Sequence, residues 1–250
     1  MSFHSKHYVS ASTVVVAAGN IRHTELLHLA KKLAKEIPKG RLSKWFPATQ
    51  KQKGPEICLF TRSTEQTQLA LGIRTCSRHD HRRFALRLLN TLLGENMSSR
   101  LFRSIREEHG LAYNIYSIPN FYHDTGSLTI TAGLDTANTE KALKLTMEEL
   151  QKFRNKAPSI GELRRARDYL IGQLELSLES TDNQMNWVAE QLLGFEKIIP
   201  PNQIKDYLHE IRPSDIRGAA IDFFQPENIC LSMVSPLKSK RKLLKCLKID

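Results

Sequence analysis

Leu128, Ile130, Ala132 and Leu134 alternate with Thr129 and Thr131, and a period of two over this length specifies a strand with one apolar face. Such a face has to be covered by a second layer. Leu69, Leu71 and Ile73 alternate with Ala70 and Gly72 and predict another strand. Shorter extended runs fall at Ile57–Leu59, at 113–118 and at 228–234. Between them lie helical stripes. Phe84, Leu88, Leu89 and Leu92 predict a helix over 82–93 after Asp80, and a second helix over 97–109 should stop at Gly110. A helix over 138–154 follows. Ser159 and Glu162 form a capping box that opens a long helix to about 179. Further helices are expected from Met185 to Leu192, over 202–210, and over 214–224 with Ser214 as the cap. Strands and helices do not alternate regularly. The expected class is α+β, a two-layer sandwich of a mostly antiparallel sheet with helices on one face.

The chain opens differently. Thr13–Ala18, TVVVAA, reads as a buried strand ended by Gly19-Asn20, and 22–37 reads as a helix carrying Leu26, Ala30, Leu33 and Ile37. Residues 41–55 carry Gly, Pro and basic residues without period and read as a linker. The expected division is a strand–helix piece over 1–40, the linker, an α+β domain over 56–236 and a basic tail over 237–250. The opening, Phe3 and Tyr8 leading into TVVVAAG, weakly echoes Phe223 leading into NICLSMV, as two copies of one repeat would.

Composition sets outer limits. With 40% hydrophobic and 25% charged residues, wholesale disorder is excluded. No run approaches the ~18–20 apolar residues of a membrane span, and the first residues contain no apolar signal core. Cys58, Cys76, Cys230 and Cys246 form no C-x-x-C pair and read as reduced thiols of an intracellular, cytoplasmic protein. The segment from Lys238 onward carries +5 of the net +11, a solvated basic end without interleaved aromatics. A nucleic-acid role would rest on that charge alone, and no specific nucleic-acid partner is expected.

The chemistry-bearing stretch is Leu93–Ser117, LGENMSSRLFRSIREEHGLAYNIYS. Arg106 falls in the last turn of a helix and Tyr113 on the strand that follows Gly110. A guanidinium and a phenol at one edge are donors able to hold a carbonyl oxygen or oxyanion. Cys76-Ser-Arg-His79-Asp80-His81 gathers ligand types in a short loop, as capping plus exposed imidazoles also would. His23 and His28, five apart, do not face one metal on a helix. Glu107-Glu108 and Glu148-Glu149 are adjacent and read as solvated faces, and Glu179 as a helix-end residue.

The stretch resembles the C-terminal domain of the pitrilysin/insulinase-type zinc peptidases, which include mitochondrial processing peptidases. It has Ser98-Ser99-Arg100-Leu101-Phe102 and Arg106-x-x-x-Gly110-Leu111-Ala112-Tyr113. Glu162–Ser180 resembles the family's long helix, and Val14–Asn20 the last strand of its N-terminal domain. The resemblance implies two homologous domains per half-unit, and zinc held on H-x-x-E-H in the other half. It also implies that Arg106 and Tyr113 hold the substrate. The sequence contains no H-x-x-E-H, and Gly94 is followed by Glu95 and Asn96 where the family has a glycine-rich turn. The resemblance therefore implies a substrate-binding half of a zinc-dependent endopeptidase, inactive alone. Zinc belongs to the complete enzyme, is not bound by this chain, and comes with a homologous segment or subunit. The other reading is a non-catalytic peptide-binding or scaffold homologue.

Overall fold

The residues that alternate along the central strands all turn to one side of a single sheet. In a computed structural model, which describes residues 2–42 and 45–249, the strands are β1 (Glu56–Thr61), β2 (Gln66–Thr75), β3 (Ala112–Phe121), β4 (Gly126–Asp135) and β5 (Ile229–Ser235). Their order is β1-β5-β2-β4-β3. Only β1 and β5 run parallel; the β5–β2, β2–β4 and β4–β3 pairs are antiparallel. Leu69, Leu71 and Ile73 of β2, Leu128, Ile130 and Leu134 of β4, and Ile229, Leu231 and Met233 of β5 are buried on one face. The opposite face carries Ala70, Gly72, Thr129 and Thr131, half-exposed in the middle of the sheet.

Contacts divide the chain into two units, 1–48 with 171–204 and 49–170 with 205–250. In the sheet-bearing unit the helix layer is built from α3 (Arg82–Asn90), α4 (Thr139–Asn155) and α8 (Pro213–Phe223), the last preceded in the chain by α7 (Pro201–Glu210). Their buried stripes include Phe84, Leu88 and Leu89, then Leu143, Leu150 and Phe153, then Ile216, Ala220 and Phe223. Helix α5 (Ile160–Ser177) begins with the expected capping box: Glu162 N–H donates to Ser159 Oγ at 3.2 Å, and Ser159 N–H donates to the Glu162 carboxylate at 2.8 Å. The two-layer α+β sandwich read from the periodicity is the architecture found.

Several local expectations change. Helix α8 starts one residue early, at Pro213, and Asp215 rather than Ser214 caps it by accepting from the Arg212 N–H at 2.8 Å. Proline's fixed φ favours the first helical position, which shifts the cap back. The expected helix over 97–109 is shorter and wider, a π-wound helix over Phe102–Glu108, and α3 runs on through a π-wound turn over Thr91–Glu95. The segment from Lys238 is not a solvated end. It folds into α9 (Arg241–Cys246) against α4, burying Leu243, Cys246, Leu247 and Ile249 and leaving its basic side chains outside. Apolar positions spaced three and four apart supply that inner face, which the charge run obscured.

The other unit contains α1 (Ser2–His7), α2 (His23–Ala34) and α6 (Thr181–Phe195). Thr13–Ala18, expected as a buried strand, is exposed to half-buried and pairs with no strand among the described residues. A β-branched run becomes a strand only where an edge is offered to it. Helix α2 matches the expected helix, yet no residue of it is fully buried, and Leu29 and Leu33 are both more than half exposed. Among the described residues up to Ala48, Val9 alone is buried. Positions 43 and 44 of the expected linker, and Asp250 of the tail, lie outside the described residues.

The docking of α9 is checked by urea unfolding. Leu243→Ala is expected to cost about 2–5 kcal/mol. Leu244→Ala, half-exposed on the same helix, should stay within about 0.5 kcal/mol. Equal effects would return this segment to a loose tail.

Candidate functional site

The site is organised by a turn whose glycine has no room for a side chain. A Cβ on Gly94 would stand 2.6 Å from Ser117 Oγ and 2.9 Å from Ser117 N, so the end of α3 presses directly on β3. Beneath that contact, Ser117 Oγ donates to Asn90 Oδ1 at 2.7 Å in a buried hydrogen bond. Glu95 and Asn96, which replace the resembled family's glycines, knit the turn together. The Glu95 carboxylate accepts from Arg87 Nη2 and from Thr91 Oγ1, both at 2.6 Å. Asn96 Oδ1 accepts from the Ser98 N–H at 2.9 Å, and its carbonyl from the Ser99 N–H at 3.0 Å. Gly94 is thus required for close approach, and its neighbours make the turn stiff.

Ser98–Phe102 then acts as framework. Ser99 and Leu101 are buried. Arg100 donates to Glu162 at 3.0 Å and lies 4.1 Å over the Phe153 ring, tying the Phe102–Glu108 helix to α4 and α5. Partial burial works to raise the Glu162 carboxyl, but the Ser159 N–H, Arg100 and the Ser159 hydroxyl outweigh it and hold the group below its ordinary value. The Arg100–Glu162 tie was not legible in sequence, because its partners are 62 residues apart.

The helix ends as predicted. Gly110 takes φ +60°, its N–H donates to the Arg106 carbonyl at 3.2 Å, and the Leu111 N–H donates to the Ile105 carbonyl at 2.9 Å. The chain reverses straight into β3, the outer strand of the sheet. There the register passes from Ala112 opposite Leu134 to Asn114 opposite Gly133, so Tyr113 is the extra residue of a bulge. Asn114 Oδ1 accepts from the Gly133 N–H at 3.0 Å and steadies the bulge. Arg106 and Tyr113 are brought together: the Arg106 guanidinium lies 4.8 Å from the Phe102 ring centre and 5.7 Å from that of Tyr113. Tyr113 is 81% exposed, and Tyr116 and Ile118 continue an exposed edge along β3. Among the described residues no carboxylate pairs with Arg106. Its N–H groups and the phenol stay available to a peptide carbonyl. Phe102, the second ring under Arg106, was quoted from the motif but not assigned this role; an aromatic four residues before an arginine on a helix was the available signal.

The weaker candidates separate. Cys76 is buried, and burial, with Asp80 beside it, pushes its thiol up to about 11, which suppresses thiolate chemistry. His79 Nε2 instead meets His123 Nδ1 at 3.3 Å, across two loops. Glu149, expected on a solvated face, is buried and accepts from Lys152 at 2.6 Å, while Glu107, Glu108, Glu148 and Glu179 are exposed. Among the described residues no three His, Cys, Asp or Glu side chains gather as metal ligands, so these residues do not fit a zinc ion.

The family description "Peptidase M16 inactive domain" matches residues 1–170. The chain belongs to the M16 peptidase family. An uncharacterized zinc protease of Streptomyces coelicolor is 31% identical over 96% of this chain and 53% of its own length. An uncharacterized zinc protease of Bacillus subtilis is 32% identical over 92% of this chain and 55% of its own. The crystal structure of a peptidase M16 inactive domain from Pseudomonas fluorescens shares the fold, with TM-score 0.80 at 22% identity over 95% of this chain and 57% of the other. This M16 chain thus spans about half the length of the curated relatives it matches. No helix among its described residues is long and apolar enough to cross a membrane.

Two outcomes follow from the packing. Gly94→Ala should destabilise the sheet-bearing unit by about 1–3 kcal/mol, because backbone as well as Ser117 Oγ blocks the methyl; a denaturation midpoint equal to wild type removes the close-approach account. Glu162 contributes fully above its ordinary value of 4.5, and that contribution is lost as pH falls through the lower folded-state value. The melting-temperature gap between wild type and Glu162→Gln should therefore be largest near neutrality and shrink in acid. A gap independent of pH removes the carboxylate's assigned role.

Proposed function

We propose that this chain is the substrate-holding half of a zinc-dependent endopeptidase, with the metal carried by a homologous segment or subunit. An extended peptide lies along β3, and its carbonyl oxygen is held by the Arg106 guanidinium and the Tyr113 hydroxyl. The observation that carries this is the Arg106–Tyr113 pair itself. A guanidinium with no carboxylate partner among the described residues lies 5.7 Å from the ring centre of an exposed phenol, on a bulge of the outer strand. Held donors of this kind stabilise developing charge because they need no reorganisation when it forms. An outer strand also offers unpaired backbone groups to an extended ligand.

The homologous partner is supported by the first 40 residues. We read them as the strand–helix piece of a preceding homologous domain. Their Thr13–Ala18 run pairs with no strand among the described residues, and α2 leaves Leu29 and Leu33 more than half exposed. The M16 membership and the half-length match to relatives named zinc proteases point the same way. Four unbridged cysteines suit a reducing compartment such as the cytoplasm.

The test begins with the native assembly isolated from the source cells. It should be larger than this chain and contain zinc, whereas the chain alone should show no zinc-dependent hydrolysis. In the assembly, Arg106→Ala with Tyr113→Phe is expected to lower kcat/KM on an extended peptide by about 10²–10³. Unchanged activity of that variant would leave the non-catalytic, scaffold reading in its place. Hydrolysis by the isolated chain would overturn the division of labour.

A further inference from the structure

A second concave surface lies within the sheet-bearing unit, on the helix layer. It is an open hollow of about 990 Å³ between the Thr91–Ser98 turn, the Phe102–Glu108 helix, α4 and α5, with Arg103 and Arg165 exposed at it, and neither Arg106 nor Tyr113 lines it. Its walls carry four acids and four cations, which looks neutral until each charge is followed to its partner. Glu95 is taken by Arg87 and Thr91. Glu149 is taken by Lys152 at 2.6 Å. Glu162 is taken by Arg100 at 3.0 Å and by the Ser159 N–H and hydroxyl. Three acids are thereby neutralised, Glu95 by an arginine behind the wall and the other two by cations that line it. What remains is Arg103 and Arg165, neither meeting a carboxylate among the described residues, against Glu108 alone. The phenol of Tyr169 and the hydroxyls of Ser98 and Ser104 face the same space without a side-chain partner among the described residues.

We propose that this cavity is a binding site for the carboxylate groups of an acidic peptide, recognised by Arg103 and Arg165 with Tyr169. The chemistry narrows the ligand class. Guanidinium forks match planar carboxylates. The first turn of α5 offers no anion cradle of backbone N–H groups, because Ser159 and Glu162 already close that helix end. The volume is at the upper end of small-ligand sites, which run to about 1,000 Å³. Leu92, Leu145 and the exposed Met97 add apolar surface for the stem of a side chain and the chain beyond it. These features suit a peptide carrying acidic side chains better than a small organic acid.

The site is independent of the peptidase reading, so its test uses binding and not activity. The full chain is titrated against a fluorescein-labelled hexapeptide containing two glutamates, against its glutamine analogue, and with citrate as competitor, with anisotropy as the readout at fixed salt. The glutamate peptide should bind about 10–100-fold more tightly than the glutamine peptide, the range expected for hydrogen bonds to a charged group. Arg103→Ala with Arg165→Ala should abolish that preference. Lys242→Gln with Lys245→Gln on the basic face of α9 should leave it unchanged. Circular dichroism melts check that the variants fold. Equal affinity for both peptides overturns the proposal, as does a preference that survives the double arginine variant. A loss caused by the α9 variant assigns the binding to general surface charge and overturns it too. Arginine-dependent binding of citrate without binding of the peptide overturns the peptide assignment.

Discussion

The contact between Gly94 and Ser117 is the constraint on which the rest of the candidate site depends. With no side chain at 94, the end of α3 reaches the backbone of β3, and the buried Ser117–Asn90 hydrogen bond fastens the two together. An unpaired Asn90 or Ser117 polar group at that depth would cost about 1–3 kcal/mol, so the pair defines one relative position for helix and strand. The next helix starts from that fixed point. Its last turn then delivers Arg106 to the bulge where Tyr113 leaves the ladder. A bulge re-aims a side chain without breaking the sheet, so Tyr113 is exposed while Ala112 before it and Ile115 two residues after it are buried.

Around this contact the conspicuous residues divide into those that hold and those that are held out. Ser99, Leu101 and Arg100 anchor the Phe102–Glu108 helix to the core, to Glu162 and to Phe153. Glu95 and Asn96 supply hydrogen bonds where glycines would leave freedom. Arg106 and Tyr113 take no part in that anchoring. Positioning donors by packing that does not use the donors themselves is what preorganisation requires. The same accounting distinguishes Arg100, consumed by a carboxylate, from Arg103 and Arg165, which are not.

The two units differ in how completely they cover themselves. The sheet-bearing unit buries alternating strand residues beneath three helices, and even its basic C-terminal helix contributes leucine and isoleucine to the interior. The residues before 49 bury a single valine among those described. An amphipathic helix and a β-branched run with so little covered surface gain little from the hydrophobic effect on their own.

What the sequence by itself determined was periodicity and punctuation. The alternation in β2 and β4, the Ser159–Glu162 capping box and the Gly110 stop are local features, set by backbone geometry within a few residues, and each lies where the pattern puts it. The spacing from Arg106 to Tyr113 across that stop was likewise sufficient to bring the pair to one edge. The tertiary structure decided whatever depends on partners far away in the chain. It left Thr13–Ala18 unpaired because strand formation needs an edge that local sequence does not supply. It turned the basic tail into a docked helix because burial of Leu243 against α4 is a long-range contact. It made Gly94 a matter of close approach, and Glu95 a brace, because their partners on β3 and α3 are set by the fold. Charge pairing between separate elements, such as Arg100 with Glu162, cannot be read from composition, since only the assembled layers decide which cations are neutralised and which face an open cavity.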